Sequence, residues 1–428
     1  MKYIIETYGC QMNVADSELV SSLLISAGHS PVTDIDDAQV IVFNTCSVRD
    51  HAEQRVLGRI ANEKHRKTAD PGIKIGVIGC MAQRMGKRLM EIESGIDFVV
   101  GVDQYQHLPS ILADDEPCGA DTLSMDKTQV YQGIMPHRQD AHCGFVTVMR
   151  GCDNFCSYCI VPYVRGRERS RPINDIYNEV KSASEAGLRD ITLLGQNVNS
   201  YQYDGYHFPD LLRKLNDIES LWRLRFVTSH PKDLSDELIS AMAECSKVCE
   251  HIHLPLQAGD DQVLKNMNRS YNVDHYLGLI DKLRTAIPNI AITTDLMVGF
   301  PGESEAQFEN TLRVMESIRF DYAFCFKYSE REGTKAASYK DQVPEDERLR
   351  RLQAMIELQR QITFDKFQEQ IGKTVEVYVE DFSRKSQDMV SGKTRDFKIA
   401  VLSGGSDKIG GLSLAKVVDA TAGTLICD

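Results

Sequence analysis

Three cysteines carry the strongest chemical signal in this chain. Cys152, Cys156 and Cys159 stand in Met149-Arg-Gly-Cys-Asp-Asn-Phe-Cys-Ser-Tyr-Cys-Ile160, with three and then two residues between them. A loop with this spacing wraps three thiolates around one face of a small metal centre. Thiolate sulfur suits iron–sulfur clusters and zinc. A structural zinc site or a ferredoxin-type cluster takes four protein ligands. This loop offers three and no near fourth, so an iron held here stays open to a small molecule. The competing reading is a zinc knuckle that borrows a distant fourth ligand. Thiols placed this way in a reduced compartment point to metal or redox use in either case.

A second set of three is spread through the first hundred residues. Cys10 lies in Tyr8-Gly-Cys-Gln-Met-Asn13, Cys46 in Phe43-Asn-Thr-Cys46 and Cys80 in Gly79-Cys-Met-Ala-Gln83. Each follows an apolar strand pattern, at residues 2–6, 39–43 and 74–78. Helical spacing falls between the strands, at 17–27 with Asp16 as a possible N-cap, at 49–67 and at 84–93. Strands alternating with helices imply a parallel sheet. In such a sheet the loops after the strand carboxyl ends gather at one edge, where ligands bind. The three cysteines meet there as a second three-thiolate site, and Gly9 and Gly79 let the backbone approach a bulky group. The plainer alternative is three unrelated buried thiols.

Further elements must position the first loop. From residue 144 to about 364 strands and helices alternate again. Strand patterns lie at 146–149, 190–194, 223–227, 251–254, 290–296 and 322–327. Helical patterns lie at 173–186, 209–218, 235–244, 273–286, 305–318 and 345–369. Six repeats fall short of a closed eight-stranded barrel, so a partial barrel with its site at the strand carboxyl ends is expected. After residue 372 short strand patterns at 374–379, 388–390, 397–402 and 415–421 predict a small antiparallel β-barrel of a kind that binds oligonucleotides. It carries Lys373, Lys393, Arg395 and Lys398. A structural or dimerisation barrel is the alternative.

Composition bounds the class. The chain has 428 residues, 42% hydrophobic and 26% charged, which suits a globular protein with a buried core. No apolar run approaches bilayer length, and no signal peptide is evident at Met1-Lys-Tyr-Ile-Ile. Twelve cysteines without a secretory signal argue for reduced thiols and a cytoplasmic location. The net charge of −13 speaks mildly against nucleic acid. A local patch remains a candidate at Arg165, Arg167, Arg169 and Arg171, beside the cysteine loop; a solvated charge run is the alternative.

The cysteine loop with Phe155 just before its second thiol, the three N-terminal cysteines and the terminal barrel together resemble the methylthiotransferase family of radical S-adenosylmethionine (SAM) enzymes. The resemblance covers essentially the whole chain. It is densest at Tyr8–Asn13, Gly151–Pro162, Leu194-Gly-Gln-Asn-Val-Asn-Ser-Tyr201, Thr228-Ser-His-Pro231, His253-Leu-Pro-Leu-Gln-Ala-Gly259 and Tyr328-Ser-Glu-Arg-Glu-Gly-Thr334. It implies an N-terminal cluster-binding domain over residues 1–125, a linker over 126–142, a radical SAM partial (β/α)6 barrel over 143–367 and a C-terminal TRAM barrel over 368–428. It also implies two 4Fe–4S clusters, one on Cys152, Cys156 and Cys159 that binds SAM, and one on Cys10, Cys46 and Cys80 that handles sulfur. The implied reaction adds a methylthio group to carbon 2 of N6-isopentenyladenosine at position 37 of tRNA. Partners are then the anticodon stem-loop, a reducing electron donor and a sulfur donor, with no DNA and no membrane.

By the same resemblance Phe155, Ser157 and Tyr158 of the loop, with Gly195, Gln196, Asn197, Ser229, Gln257, Arg269 and Asp295, become candidate SAM or substrate contacts. Each has a structural alternative as a satisfied polar group. His251 and His253 share one side of a strand and read as a packed or substrate-lining pair before a metal pair. Cys118, Cys143, Cys245, Cys249, Cys325 and Cys427 read as structural. Two other targets are weighed, a threonylcarbamoyl-adenosine in tRNA and a ribosomal-protein aspartate; Gln196-Asn-Val-Asn199 speaks against both. A different class, an iron–sulfur redox sensor that binds RNA, has no need of a site open to SAM.

Overall fold

A computed structural model describes all residues except 48, 49, 93, 94, 114–119, 139, 141 and 385. Cys118, Arg49 at the start of one expected helix and residue 93 at the end of another lie outside the described residues. The chain builds three bodies.

The first is a five-stranded parallel sheet in the order Ser30–Pro31, Lys2–Thr7, Val40–Thr45, Lys74–Gly79, Phe98–Val100. Val40–Thr45 is its central strand and is buried along its whole length, as a β-branched run covered on both faces must be. Two edge strands, Ser30–Pro31 and Phe98–Val100, escape sequence reading because two or three residues show no period. The helix expected at 17–27 starts earlier, spanning Gln11–Ser26 with Cys10 at its N-cap. Asp16 therefore caps nothing: it sits inside the helix, fully buried, because this polar face packs on the second body.

That second body is an arc of six parallel strands. Arg223–Phe226, Asp190–Leu194 and Cys143–Thr147 form one triplet, and His251–His253, Ala291–Val298 and Tyr322–Lys327 the other. A parallel bridge between Leu224 and Val248 joins them. The strand expected at 146–149 begins and ends earlier, and the chain bends at Val148 so that Met149–Arg150 pairs with Arg169–Ser170. A continuous core of Val146, Ile191, Leu193, Leu224, Phe226, Ile252, Leu254 and Leu296 fills the space between the strands and the outer helices. Tyr322–Lys327 stands at the open end of the arc. Ala323 is buried and Cys325 half-buried, whereas Tyr322, Phe324 and Phe326 stay exposed along the inner face.

The third body is a closed barrel of Thr374–Ser383, Ser386–Thr394, Ile399–Ser403, Leu425–Cys427 and Leu412–Ala420. Closure removes the free edges that short strands otherwise expose. The barrel is clamped to the arc by buried arginines: Arg223 Nη1 donates to the Lys393 carbonyl at 2.6 Å and Arg225 Nη2 to the Thr394 carbonyl at 2.9 Å. Among the described residues no helix is long and apolar enough to cross a membrane.

Candidate active site

The cysteine loop is held from both sides. Gly151 opens it at φ +80°, and a Cβ there would lie 1.9 Å from the Arg167 carbonyl oxygen. Only glycine fits so close an approach in the left-handed region. The Gly151 amide donates to Gln196 Oε1 at 2.5 Å and the Cys152 amide to the Gly166 carbonyl at 3.1 Å. Phe155 takes φ +46°; its carbonyl accepts from Asn268 Nδ2 at 2.9 Å, and the Arg167 guanidinium lies over its ring. Ser157 donates from its amide to the Met267 carbonyl and from its hydroxyl to the Asn266 carbonyl, both at 2.9 Å. Gly151→Ala is expected to cost about 1–3 kcal/mol in backbone strain alone. It should lower the thermal midpoint and the iron bound per chain on reconstitution.

The first three thiols are electrostatic neighbours. Cys156 Sγ lies 3.5 Å from Arg269 Nη1, and Cys152 Sγ 3.4 Å from Asn154 Nδ2. Burial pushes the Cys152 thiol up to about 11, and Cys159 also upward. A thiolate therefore forms there when a cation offsets the lost hydration.

The second three cysteines follow three adjacent parallel strands. Those strands end at Thr7, Thr45 and Gly79, so Cys10, Cys46 and Cys80 sit at one edge, as the topology expects. Gly9, at φ +151°, leaves no room for a Cβ, which would stand 2.8 Å from Cys46 Cβ; at Gly79, φ +93°, it would stand 2.6 Å from the Thr45 carbonyl. Cys10 is exposed, while Cys46 and Cys80 are buried. Among the described residues no three His, Cys, Asp or Glu side chains close on one point as a formed metal site. The donor chemistry nevertheless fits two iron–sulfur groups. Each set is three unbridged thiols on glycine-opened loops, with a guanidinium beside one sulfur.

One cavity of about 1730 Å³ joins the two sets. Cys10 and Cys159 both line it, together with Tyr158, Gln257 and Asp295. Gln257 takes φ +74° and is splinted to the neighbouring strand, its amide donating to the Asp295 carbonyl at 2.9 Å. Asp295 faces His253 Nε2 at 3.5 Å. His253 and His251 both turn to Thr293 Oγ1, at 3.0 and 3.1 Å, and His251 stacks on Phe397 of the terminal barrel. Burial, with Arg225 nearby, holds His251 down to about 3, so it stays neutral.

Gly195, Gln196, Asn197, Ser229 and Arg269 lie outside this cavity's lining. Gln196 supports the cysteine loop, and Asn197 Nδ2 donates to Asp233 Oδ2 at 2.7 Å. Among the described residues, the candidate SAM contacts Asn197, Ser229 and Arg269 each keep a buried polar atom without a hydrogen-bond partner: Oδ1, Oγ and Nε. Buried unpaired donors and acceptors are costly unless a ligand meets them.

The arginine run is not a solvent patch. Arg165 and Arg171 are buried and Arg169 is half-buried; they pair with Asp16, with Asp175 and Glu179, and with Asp103, and Arg167 alone is exposed. The barrel cations are similarly engaged, Lys393 with Glu380, Arg395 with Glu250 and Lys398 with Asp321, leaving Lys373 exposed. Sequence reasoning missed Asp16, Asp103 and Arg150, and the inner stripe Tyr322, Phe324 and Phe326. The alternation Tyr-Ala-Phe-Cys-Phe was the available signal for the stripe.

An open arc of six parallel strands with a three-cysteine loop after the first of them is the architecture of a radical SAM enzyme. A model of the radical SAM superfamily matches residues 146–315, and a model described as uncharacterized protein family UPF0004 matches residues 2–101. Solved structures agree on the fold. A radical SAM methyltransferase, TsrM from Kitasatospora setae, superposes with TM-score 0.57 at 14% identity over 78% of this chain and 75% of its own. The cobalamin-dependent radical SAM enzyme OxsB gives 0.56 at 12% identity over 82% of this chain and 56% of its own. Curated relatives are far nearer. A protein of Thermoanaerobacter sp. strain X514 is 46% identical over 99% of this chain and 91% of its own. One of Porphyromonas gingivalis strain W83 is 44% identical, over 99% and 94%. Both are named tRNA-2-methylthio-N6-dimethylallyladenosine synthase. The chain belongs to this family of radical SAM methylthiotransferases, whose cofactors are SAM and 4Fe–4S clusters.

Proposed function

We propose that this chain adds a methylthio group to carbon 2 of N6-isopentenyladenosine at position 37 of tRNA. The observation that carries the reading is that Cys10 and Cys159, from two thiol sets in two different bodies, line one cavity. Carbon 2 of adenine is neither acidic nor electrophilic, so polar catalysis has little to act on. When bound, the two clusters supply reductive cleavage of SAM to a 5′-deoxyadenosyl radical and the sulfur that is methylated and transferred.

The residues of the chain divide the work. Cys152, Cys156 and Cys159 hold the SAM-binding cluster, and Cys10, Cys46 and Cys80 the auxiliary one. Phe155, Ser157 and Tyr158 set the loop geometry, with Tyr158 also facing the cavity. Gln196 braces the loop through the Gly151 amide, and Gly195, Asn197, Ser229 and Arg269 would contact SAM, the last three with a buried polar atom that has no partner among the described residues. Gln257 and Asp295 line the cavity and orient what enters it. The half-exposed rings Tyr322, Phe324 and Phe326 give a splayed anticodon loop a stacking face, which suits single-stranded RNA better than a charged surface does in this acidic chain. The bodies divide as residues 1–125, a linker over 126–142, 143–367 and 368–428. A reducing electron donor and a sulfur donor complete the reaction, which we place in the cytoplasm.

The test is an anaerobic incubation of reconstituted protein with SAM, dithionite and an isopentenylated anticodon stem-loop, read by mass spectrometry. A 2-methylthio nucleoside with 5′-deoxyadenosine is expected. 5′-Deoxyadenosine without modified RNA would overturn the substrate, and neither product from protein with both clusters would overturn the reading.

A further inference from the structure

A buried charged cluster sits where the N-terminal body meets the arc, and the transfer reaction makes no use of it. Asp16 Oδ1 accepts from Arg150 Nη2 at 2.6 Å, and its Oδ2 accepts from Arg165 Nη2 at 2.8 Å and from the Tyr105 hydroxyl at 3.3 Å. The same Arg165 donates from Nε to Cys80 Sγ at 3.2 Å. Asp16 lies six residues after Cys10, and Arg150 two residues before Cys152. Asp16 is fully buried, and both arginines are within a few per cent of it.

The charges within this cluster do not balance. Two guanidinium groups face one carboxylate, while Arg169 is matched separately by Asp103 at 3.0 Å. Arg165 Nη1 and Arg150 Nη1 and Nε are buried with no hydrogen-bond partner. A buried surplus cation is costly unless an anion meets it. Cys80, which accepts from Arg165 Nε, would be that anion once it ligates a metal as a thiolate. A plain interdomain ion pair would need the carboxylate alone and would leave no guanidinium on a sulfur.

We propose that Arg165 is a positioning residue that tunes the auxiliary cluster through its hydrogen bond to Cys80, and that Asp16 sets its strength by dividing its carboxylate between Arg165 and the SAM-loop residue Arg150. The proposal rests on the reading that Cys80 ligates that cluster. Hydrogen bonds and positive charge at a ligating sulfur stabilise the reduced, more negative state of a cluster and so raise its potential. Arg165 therefore makes the auxiliary cluster easier to reduce, and Asp16 moderates the effect.

The test uses the full chain with Cys152, Cys156 and Cys159 replaced by alanine, so that only the N-terminal set holds a cluster. Its potential is read by titration followed by electron paramagnetic resonance. Arg165→Gln is expected to shift the potential negative, lowering the reduced-to-oxidised ratio about tenfold at fixed potential, or about 59 mV for one electron. Arg165→Lys, which keeps the charge, should fall between Gln and the parent. Asp16→Asn should shift the potential the other way, because it removes the charge that offsets Arg165. A merely structural pair would not give shifts of opposite sign. Equal potentials in the parent and Arg165→Gln, with iron content kept, would overturn the proposal alone. If Arg165→Gln does not fold, Asp16→Asn decides: a shift to positive potential supports the proposal, and a negative shift or none overturns it. An unchanged cluster in Cys80→Ala would overturn the proposal and the ligand reading together.

Discussion

Cys156→Ala should yield no 5′-deoxyadenosine and no methylthio product above a protein-free control, whereas Cys46→Ala should cleave SAM and modify no RNA. The contrast follows from where the two thiols stand. Cys156 belongs to a loop whose backbone is fixed from both sides, with Arg269 beside its sulfur, so loss of one thiol leaves two donors where the spacing supplies three. Cys46 lies in the other body, just after the central strand Val40–Thr45, and the bonds that fix the cysteine loop at Gly151, Cys152, Phe155 and Ser157 run to Gln196, Gly166, Asn268, Met267 and Asn266 instead. Iron content distinguishes the two variants from misfolding: each should keep roughly half of the parent's iron. Liquid chromatography with mass spectrometry reads both products from one reaction. A methylthio nucleoside made by Cys46→Ala would end the division of labour between the two sets.

The parts of this site that were legible in sequence are the parts fixed by local spacing or by sheet topology. Cys152, Cys156 and Cys159 are close in sequence, so placing them on one loop needed no fold. Cys10, Cys46 and Cys80 come to one sheet edge because three adjacent parallel strands end there, and the alternation of strands and helices was enough to expect that. The arginine run misled for a physical reason. Alternating basic residues look solvated until their acids are known, and only two of those acids are local. Asp175 and Glu179 lie on the next helix, Ile173–Glu185, while Asp16 and Asp103 come from the N-terminal body and become visible only once the two bodies are docked. Asp16 itself matched an N-cap pattern because a helix face buried against another domain is as polar as a helix start when the contacts are ion pairs. The aromatic stripe on Tyr322–Lys327 was present as an alternation, but its exposure depends on that strand ending an open arc rather than closing a barrel.

Asp16→Ala should lower the stability of the chain by about 3–5 kcal/mol, the cost of leaving buried ionic partners uncompensated. The carboxylate meets two arginines and a tyrosine hydroxyl, and none of the three has solvent to turn to. Burial by itself would push the Asp16 carboxyl up; Arg150 and Arg165 together hold it below the usual range. The sign of the pH dependence follows. A carboxyl lowered in the folded state contributes stability that is fully present above its unfolded value near 3.9 and is lost as pH falls through the folded one. Urea denaturation at neutral pH should therefore show the full difference between parent and Asp16→Ala, and the gap should narrow in acid below about pH 4. Replacing Arg150 with Met in the Asp16→Ala background should recover part of the loss, because it removes one stranded cation and fills its volume with an apolar chain. If Asp16→Ala unfolds at the parent's urea concentration, the arginines have found other partners and the interface is not held by this carboxylate.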